Sequence, residues 1–157
     1  MNDQRSIRIR RGQRPQAVVI DIDGTVSDCG GRMALLTGKE PNWESFFAMS
    51  GSDRPLREGL ELAFSASRDH RILWLTGRPE RFRGITMAWL SGHGLPVDML
   101  YMREDHDRRP VAEYKSVRML DIADYYDVRL VVDDDVSVVQ ALQTAGWPVQ
   151  HASWASR

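Results

Sequence analysis

The stretch "AVVIDIDGTVSDCGGR", residues 17–32, opens on four apolar residues and then sets two carboxylates, Asp21 and Asp23, two positions apart ahead of Gly24 and Thr25. A short unbroken apolar run closed by turn residues is the pattern of a strand buried on both faces, as in a parallel sheet. Similar runs recur at "RILWL" (71–75), "DMLYM" (98–102), "VRLVVD" (128–133) and, more weakly, "PVQHA" (148–152), with helix-period segments between them. That alternation predicts an α/β fold: a Rossmann-like parallel sheet with helices on both faces.

Pro55, Pro79 and Pro110 stand where first helical turns are expected, because proline needs no amide partner there. Phe82, Ile85, Trp89 and Leu90 then recur at helical spacing, and "SGHGLP" supplies the glycine and proline that end a helix. Residues 30–54 fit neither a strand nor a long helix. They predict a minimal flap inserted after the first strand, with a short helix in "NWESFFAMS" presenting Trp43, Phe46 and Phe47.

A chain of 157 residues suits one domain with a sizeable core. Its net charge of −1 gives no bulk attraction to nucleic acid or to an anionic membrane, so any anion site has to be local. One cysteine, Cys29, leaves no internal disulfide, and no apolar run has the length of a membrane span, which together suggest a cytoplasmic protein. Residues 1–15 carry five arginines and little apolar pattern, and are expected to form a flexible Arg-rich arm ahead of a domain over 16–157.

In an open parallel sheet ligands bind beyond the carboxyl ends of the strands. The first strand ends in Asp21 and Asp23, the second runs into "LTGRP" with Thr76, Gly77 and Arg78, and the fourth ends in Asp133–Asp135. Lys115, one of only two lysines, stands near the start of the helix leading into that fourth strand, so all these groups meet on one edge. Clustered carboxylates repel one another unless a cation sits among them, and hard oxygen ligands favour Mg²⁺, which usually binds with a substrate phosphate. A phosphoryl group is the natural guest. Thr76 offers a hydroxyl, Gly24 and Gly77 let the backbone approach, and Lys115 and Arg78 offer positive charge to its oxygens. With the repulsion between carboxylate and phosphate relieved, Asp21 can act as a nucleophile.

"DIDGT", the threonine of "LTGR", Lys115 and "DDD" resemble the four motifs of the haloacid dehalogenase superfamily of phosphotransferases. The resemblance covers nearly all of the chain after Pro15 and is finest to the 3′-phosphatase domain of phage-type polynucleotide kinases. Arg32, eleven residues after Asp21, "LTGRPERFRGITMAWLSGHGLP" and "MREDHDRRPVAEYK" carry the finer match. The resemblance implies an aspartyl-phosphate on Asp21, with Asp23 protonating the leaving oxygen and then activating water. It implies that Thr76 and Lys115 hold the phosphoryl group and that Arg32 and Arg78 engage substrate. Asp21, Asp133, Asp134 and the backbone carbonyl of Asp23 would then form the Mg²⁺ site. It also implies removal of terminal 3′-phosphates from nucleic acid; a further possibility is a stand-alone partner for a kinase or ligase made as another chain, since no Walker-type Gly-rich phosphate loop occurs in this sequence. The family tends to place an aspartate four residues before the lysine, and Val111 stands there instead.

Two other functions fit parts of this pattern. A nucleotidase or other small-molecule phosphatase needs the same groups. A receiver-like signalling domain also uses aspartates, Mg²⁺, a hydroxyl and a lysine, but its lysine follows the hydroxyl and the phosphorylated aspartate, whereas here the acidic cluster comes last.

Overall fold

The computed structural model describes residues 11–155. The chain runs β1 (Gln16–Ile20), β2 (Ser27–Asp28), α1 (Trp43–Ala48), β3 (Arg54–Pro55), α2 (Arg57–Ala66), β4 (Arg71–Pro79), α3 (Arg83–Gly92), β5 (Met99–Arg103), α4 (Val111–Ala123), β6 (Asp127–Asp133), α5 (Val136–Thr144) and β7 (Val149–His151). Five strands form one sheet in the order β5-β4-β1-β6-β7, and each neighbouring pair is parallel. The short β2 and β3 pair antiparallel on their own.

Alternation along β1 explains the two layers of helix. Val18 and Ile20 point into a cluster with Phe46, Ala63, Trp89 and Leu90 from α1, α2 and α3. Ala17 and Val19 point the other way, into Tyr114, Met119 and Ile122 of α4 and Val138 and Leu142 of α5. The three inner strands carry the continuous apolar runs, whereas β5 and β7 lie at the sheet edges and are only partly buried, so burial on both faces does not extend to them.

The chain leaves β1 toward β4 on one side and later returns to β6 on the other, so β1 is the point where the strand order reverses. Crevices at such a point, outside the carboxyl ends, are where open α/β sheets take ligands. The segment between β1 and α2 folds over this end as a small flap: the β2/β3 pair, a 3₁₀ helix over Gly30–Leu36, α1, and a second 3₁₀ turn over Met49–Ser52. Asn42 caps α1, its side chain accepting from the Ser45 amide at 3.0 Å.

The prolines fall slightly earlier than the helix rule predicts. Pro55 lies in β3 with α2 starting at Arg57, Pro79 ends β4, and Pro110 is the residue just before α4. Proline's fixed φ suits the extended residue before a helix as well as its first turn. Of the expected arm, residues 1–10 lie outside the described residues. The remainder makes a 3₁₀ turn over Arg11–Gln13, after which an Arg14 guanidinium NH donates to the Ala123 carbonyl and the Pro15 carbonyl accepts from the Asp127 amide.

Candidate active site

Asp21 follows β1 directly, and its amide donates to the Val132 carbonyl at 2.9 Å, fixing it beside the end of β6. Lys115, one turn into α4, reaches between the two strands. Its Nζ donates to Asp21 Oδ1 at 2.7 Å and to Asp133 Oδ2 at 2.6 Å, and all three groups are buried. Thr25 Oγ1 donates to the other Asp21 oxygen at 3.2 Å.

Asp134 adds a third carboxylate: oxygens of Asp21, Asp133 and Asp134 lie within 4.8 Å of one another. Gly24 makes room for it. Gly24 has φ +78°, and a Cβ there would stand 2.1 Å from Asp134 Oδ2, so both the backbone conformation and the close approach exclude a side chain. Asp135 serves a structural end, capping α5 by accepting from the Ser137 amide at 2.8 Å.

Asp23 lives in a different electrostatic setting. Arg78 grips it with Nε to Oδ2 at 2.9 Å and a terminal nitrogen to Oδ1 at 2.7 Å, and Arg32 donates to the same Oδ1 at 2.7 Å. Burial alone would raise the Asp23 pKa, but the charges and hydrogen bonds of Arg78 and then Arg32 outweigh it and hold the carboxyl below its ordinary value. Asp21 goes the other way. Burial and the charge of Asp133 push it well above the usual carboxylate range, with Lys115 only partly compensating. Lys115 is pulled down by burial but pulled up further by Asp133 and Asp21, so it stays an ammonium ion.

Asp21, Asp23, Thr76, Gly77, Lys115, Asp133 and Asp134 all line one cavity of about 560 Å³. Thr76 is buried within β4, and its Oγ1 accepts from the Arg78 amide at 3.1 Å, leaving the hydroxyl proton for another acceptor. Gly77 faces Val111, whose Cγ2 would lie 3.4 Å from a Cβ built there, so an apolar methyl lines the cavity beside it.

Arg32 and Arg78, expected to engage substrate, are both bound to Asp23. They are 3% and 0% exposed, and neither lines the cavity. Arg78 is engaged by Asp23 and by Thr86 Oγ1 at 3.2 Å. Arg32 is engaged by Asp23, by the Phe46 carbonyl, by the Phe46 ring at 4.2 Å and by Asp53, which accepts from its Nε at 2.8 Å. Both therefore orient a carboxylate at the cavity floor. Asp53 was not anticipated: it sits in a polar loop, 21 residues from Arg32, and only the flap's path brings the two together.

Besides Lys115, the cavity's cations are Arg81 in the turn after β4, Arg103 at the end of β5, and Arg108 and Arg109 beyond it. The same cavity is lined by Phe46, Phe47 and Trp43, the last 52% exposed and stacked on Phe47 at 5.8 Å.

The donor set suits a hard divalent cation. Three carboxylates crowd one spot, one of them with a raised pKa, and all their ligand atoms are oxygens. Asp23 can join such a site only through its backbone, since its carboxylate is held by the arginines.

This sheet, with an acidic cluster at the switch point and a small flap above it, is the architecture of haloacid dehalogenase-like hydrolases. The chain is similar to the class C acid phosphatase of Bacillus anthracis, solved with tungstate bound (17% identity, TM-score 0.65, 85% of this chain and 62% of that one). It is also similar to the hydrolase YfnB of Bacillus subtilis, solved bound to magnesium (12% identity, TM-score 0.60, 87% of each chain). The family model of the polynucleotide kinase PNKP phosphatase domain matches residues 15–153, and the chain belongs to that family. It is a phosphatase of the haloacid dehalogenase type. A chain of the Pnkp1/Rnl/Hen1 RNA repair complex is similar as well (24% identity, TM-score 0.76), covering 92% of this chain; the match spans 44% of the length of that one.

Proposed function

We propose that the protein is a Mg²⁺-dependent 3′-phosphatase of nucleic acid ends. The observation that carries the chemistry is Lys115 bridging Asp21 and Asp133 at the floor of an open cavity. The nucleic-acid substrate rests on the family and on a cavity lined by both exposed Trp43 and arginines, since bases stack on aromatic faces while guanidinium groups take phosphates.

In this reading an Asp21 oxygen attacks phosphorus. The Asp21–phosphorus bond forms, the bond to the sugar 3′-oxygen breaks, and Asp23 gives that oxygen a proton. In the free enzyme Asp23 is held as an anion by Arg78 and Arg32. An incoming phosphate dianion favours its protonation, because a like charge disfavours the carboxylate. In the second step Asp23 takes a proton from water, which displaces Asp21 and releases inorganic phosphate. Lys115 and the Thr76 hydroxyl hold the phosphoryl oxygens. A Mg²⁺ held by Asp21, Asp134 and the Asp23 carbonyl, with Asp133 beside them, would neutralise charge on the transferring group.

The family's repair setting also supports a kinase or ligase on a separate chain as a partner. No helix among the described residues is long and apolar enough to cross a membrane. A panel of 3′-phosphorylated DNA and RNA oligonucleotides, 5′-phosphorylated controls and mononucleotides tests the substrate. Preference for 3′-phosphorylated ends is expected, and equal or better turnover of mononucleotides would shift the reading to a nucleotidase. Trp43→Ala should raise KM for oligonucleotides more than for an aryl phosphate.

A further inference from the structure

Arg103 ends β5 and lines the cavity, yet its Nε and one terminal nitrogen are buried without a hydrogen-bond partner among the described residues. Its guanidinium lies over the Tyr114 ring at 5.0 Å, which fixes the plane but satisfies no N–H. Nearly all buried polar groups find partners, and a buried cation without one is costly, so an orphaned guanidinium in a cavity wall points to a missing anion.

Of the nearby acids, Asp107 feels the Arg103 charge, but none accepts a hydrogen bond from it. Asp107 is held by Arg109 at 2.6 Å, Asp105 accepts from the Arg81 amide at 3.0 Å, and Glu104 faces His106 at 3.2 Å. Arg109 is thereby paired, and the Arg81 guanidinium is paired with Glu44 at 2.6 Å, while Arg103 and the exposed Arg108 share the cavity wall without an ion-pair partner at contact distance among the described residues.

Position separates this charge from the reacting group. β5 is two strands away from β1, so Arg103 stands roughly 10 Å across the sheet edge from Asp21. Lys115 already serves Asp21 and Asp133 at the floor.

We propose that Arg103 binds a second, non-reacting phosphate of the substrate. This rests on the reading that the cavity takes a phosphomonoester. Two sources carry the same chemistry: the internucleotide phosphodiester next to a 3′-phosphorylated end, and the 5′-phosphate of a nucleoside 3′,5′-bisphosphate. An arginine suits either, because its planar fork can take two oxygens of one phosphate.

The test compares kcat/KM for a nucleoside 3′-monophosphate, a nucleoside 3′,5′-bisphosphate and a 3′-phosphorylated dinucleotide lacking a 5′-phosphate, in the parent, Arg103→Gln and Arg103→Lys. The parent should favour at least one two-phosphate substrate over the monophosphate by about tenfold or more, and the better one names the source. Arg103→Gln should collapse that ratio toward one, and Arg103→Lys should keep part of it. Added salt should erode the parent's ratio more than that of Arg103→Gln. The melting temperature of Arg103→Gln should stay close to the parent's, since the removed guanidinium makes no hydrogen bond with its Nε and one terminal nitrogen, which keeps a folding defect from imitating the result. A parent that does not distinguish one phosphate from two, or an Arg103→Gln ratio equal to the parent's, overturns the proposal. A parent that prefers the bisphosphate and neglects the dinucleotide would remove the polynucleotide reading but leave Arg103 in place. A parent that prefers the dinucleotide, with the ratio intact in Arg103→Gln, would do the reverse.

Discussion

Asp21 and Asp23 are two positions apart and titrate in opposite directions, and this has opposite consequences for stability. A carboxylate depressed on folding, like Asp23, contributes stability above its unfolded value of about 3.9 that is lost as pH falls through its folded value. A carboxylate raised on folding, like Asp21, costs stability above about 3.9, where the unfolded chain is already ionised. In chelator at pH 7, Asp21→Asn should therefore melt higher than the parent while losing activity, and the gain should shrink as pH falls toward about 4. Equal or lower melting at pH 7 would show that the Lys115 bond to Asp21 outweighs the repulsion. Lys115→Met should do the opposite, losing about 3–5 kcal/mol in a denaturant titration, because it strands two buried carboxylates. At this scale the sequence marks the reacting types plainly, since Asp21, Thr76, Lys115 and Asp134 sit at strand ends and a helix start that periodicity locates. The destinations of Arg32 and Arg78 were not legible, because a guanidinium reaches far enough to meet either a ligand or a neighbouring side chain, and Asp53 carries no pattern of its own.

The flap is the element on which the site's orientation depends. α2 packs against the turn after β1 so tightly that a Cβ on Gly59 would stand 2.0 Å from the Thr25 carbonyl oxygen. Gly59→Ala should push that turn, lowering the melting temperature and cutting kcat through displaced Asp23, whereas Gly84→Ala, with nothing within 4 Å, should melt close to the parent. Farther along the flap, Asp53 accepts from Arg32 and from Ser27 Oγ, whose oxygen lies 2.5 Å away. In Asp53→Asn the Arg32 charge is left more fully to Asp23, so the limb of the pH–rate profile governed by Asp23 should move to lower pH. A loss of rate without a moved limb would make Asp53 a packing residue only. The element order and the short helix carrying Trp43 were readable, since apolar runs and their spacing encode burial. The β2/β3 pair was not, being two residues long on each side and without alternation.

Across the whole molecule, the three crowded carboxylates describe a fold that a divalent cation should stabilise. Mg²⁺ should raise the melting temperature by an amount that grows with its concentration, and Asp134→Ala should lose most of the rise. A melting curve indifferent to Mg²⁺ and to chelator would remove the metal from the proposal. The sheet's parallel character followed from the alternation of strand and helix patterns, but which strands sit beside which is a long-range matter that no local window contains. That same topology bears on how the enzyme comes into being. Lys115 and Asp21, 94 residues apart, meet only when β6 has slotted in next to β1. Contacts of such sequence separation demand loop closure before they return any energy, and parallel pairing is intrinsically slow. Hydrolytic competence thus waits on β6, and a chain with only the flap and β4 in place should be catalytically silent.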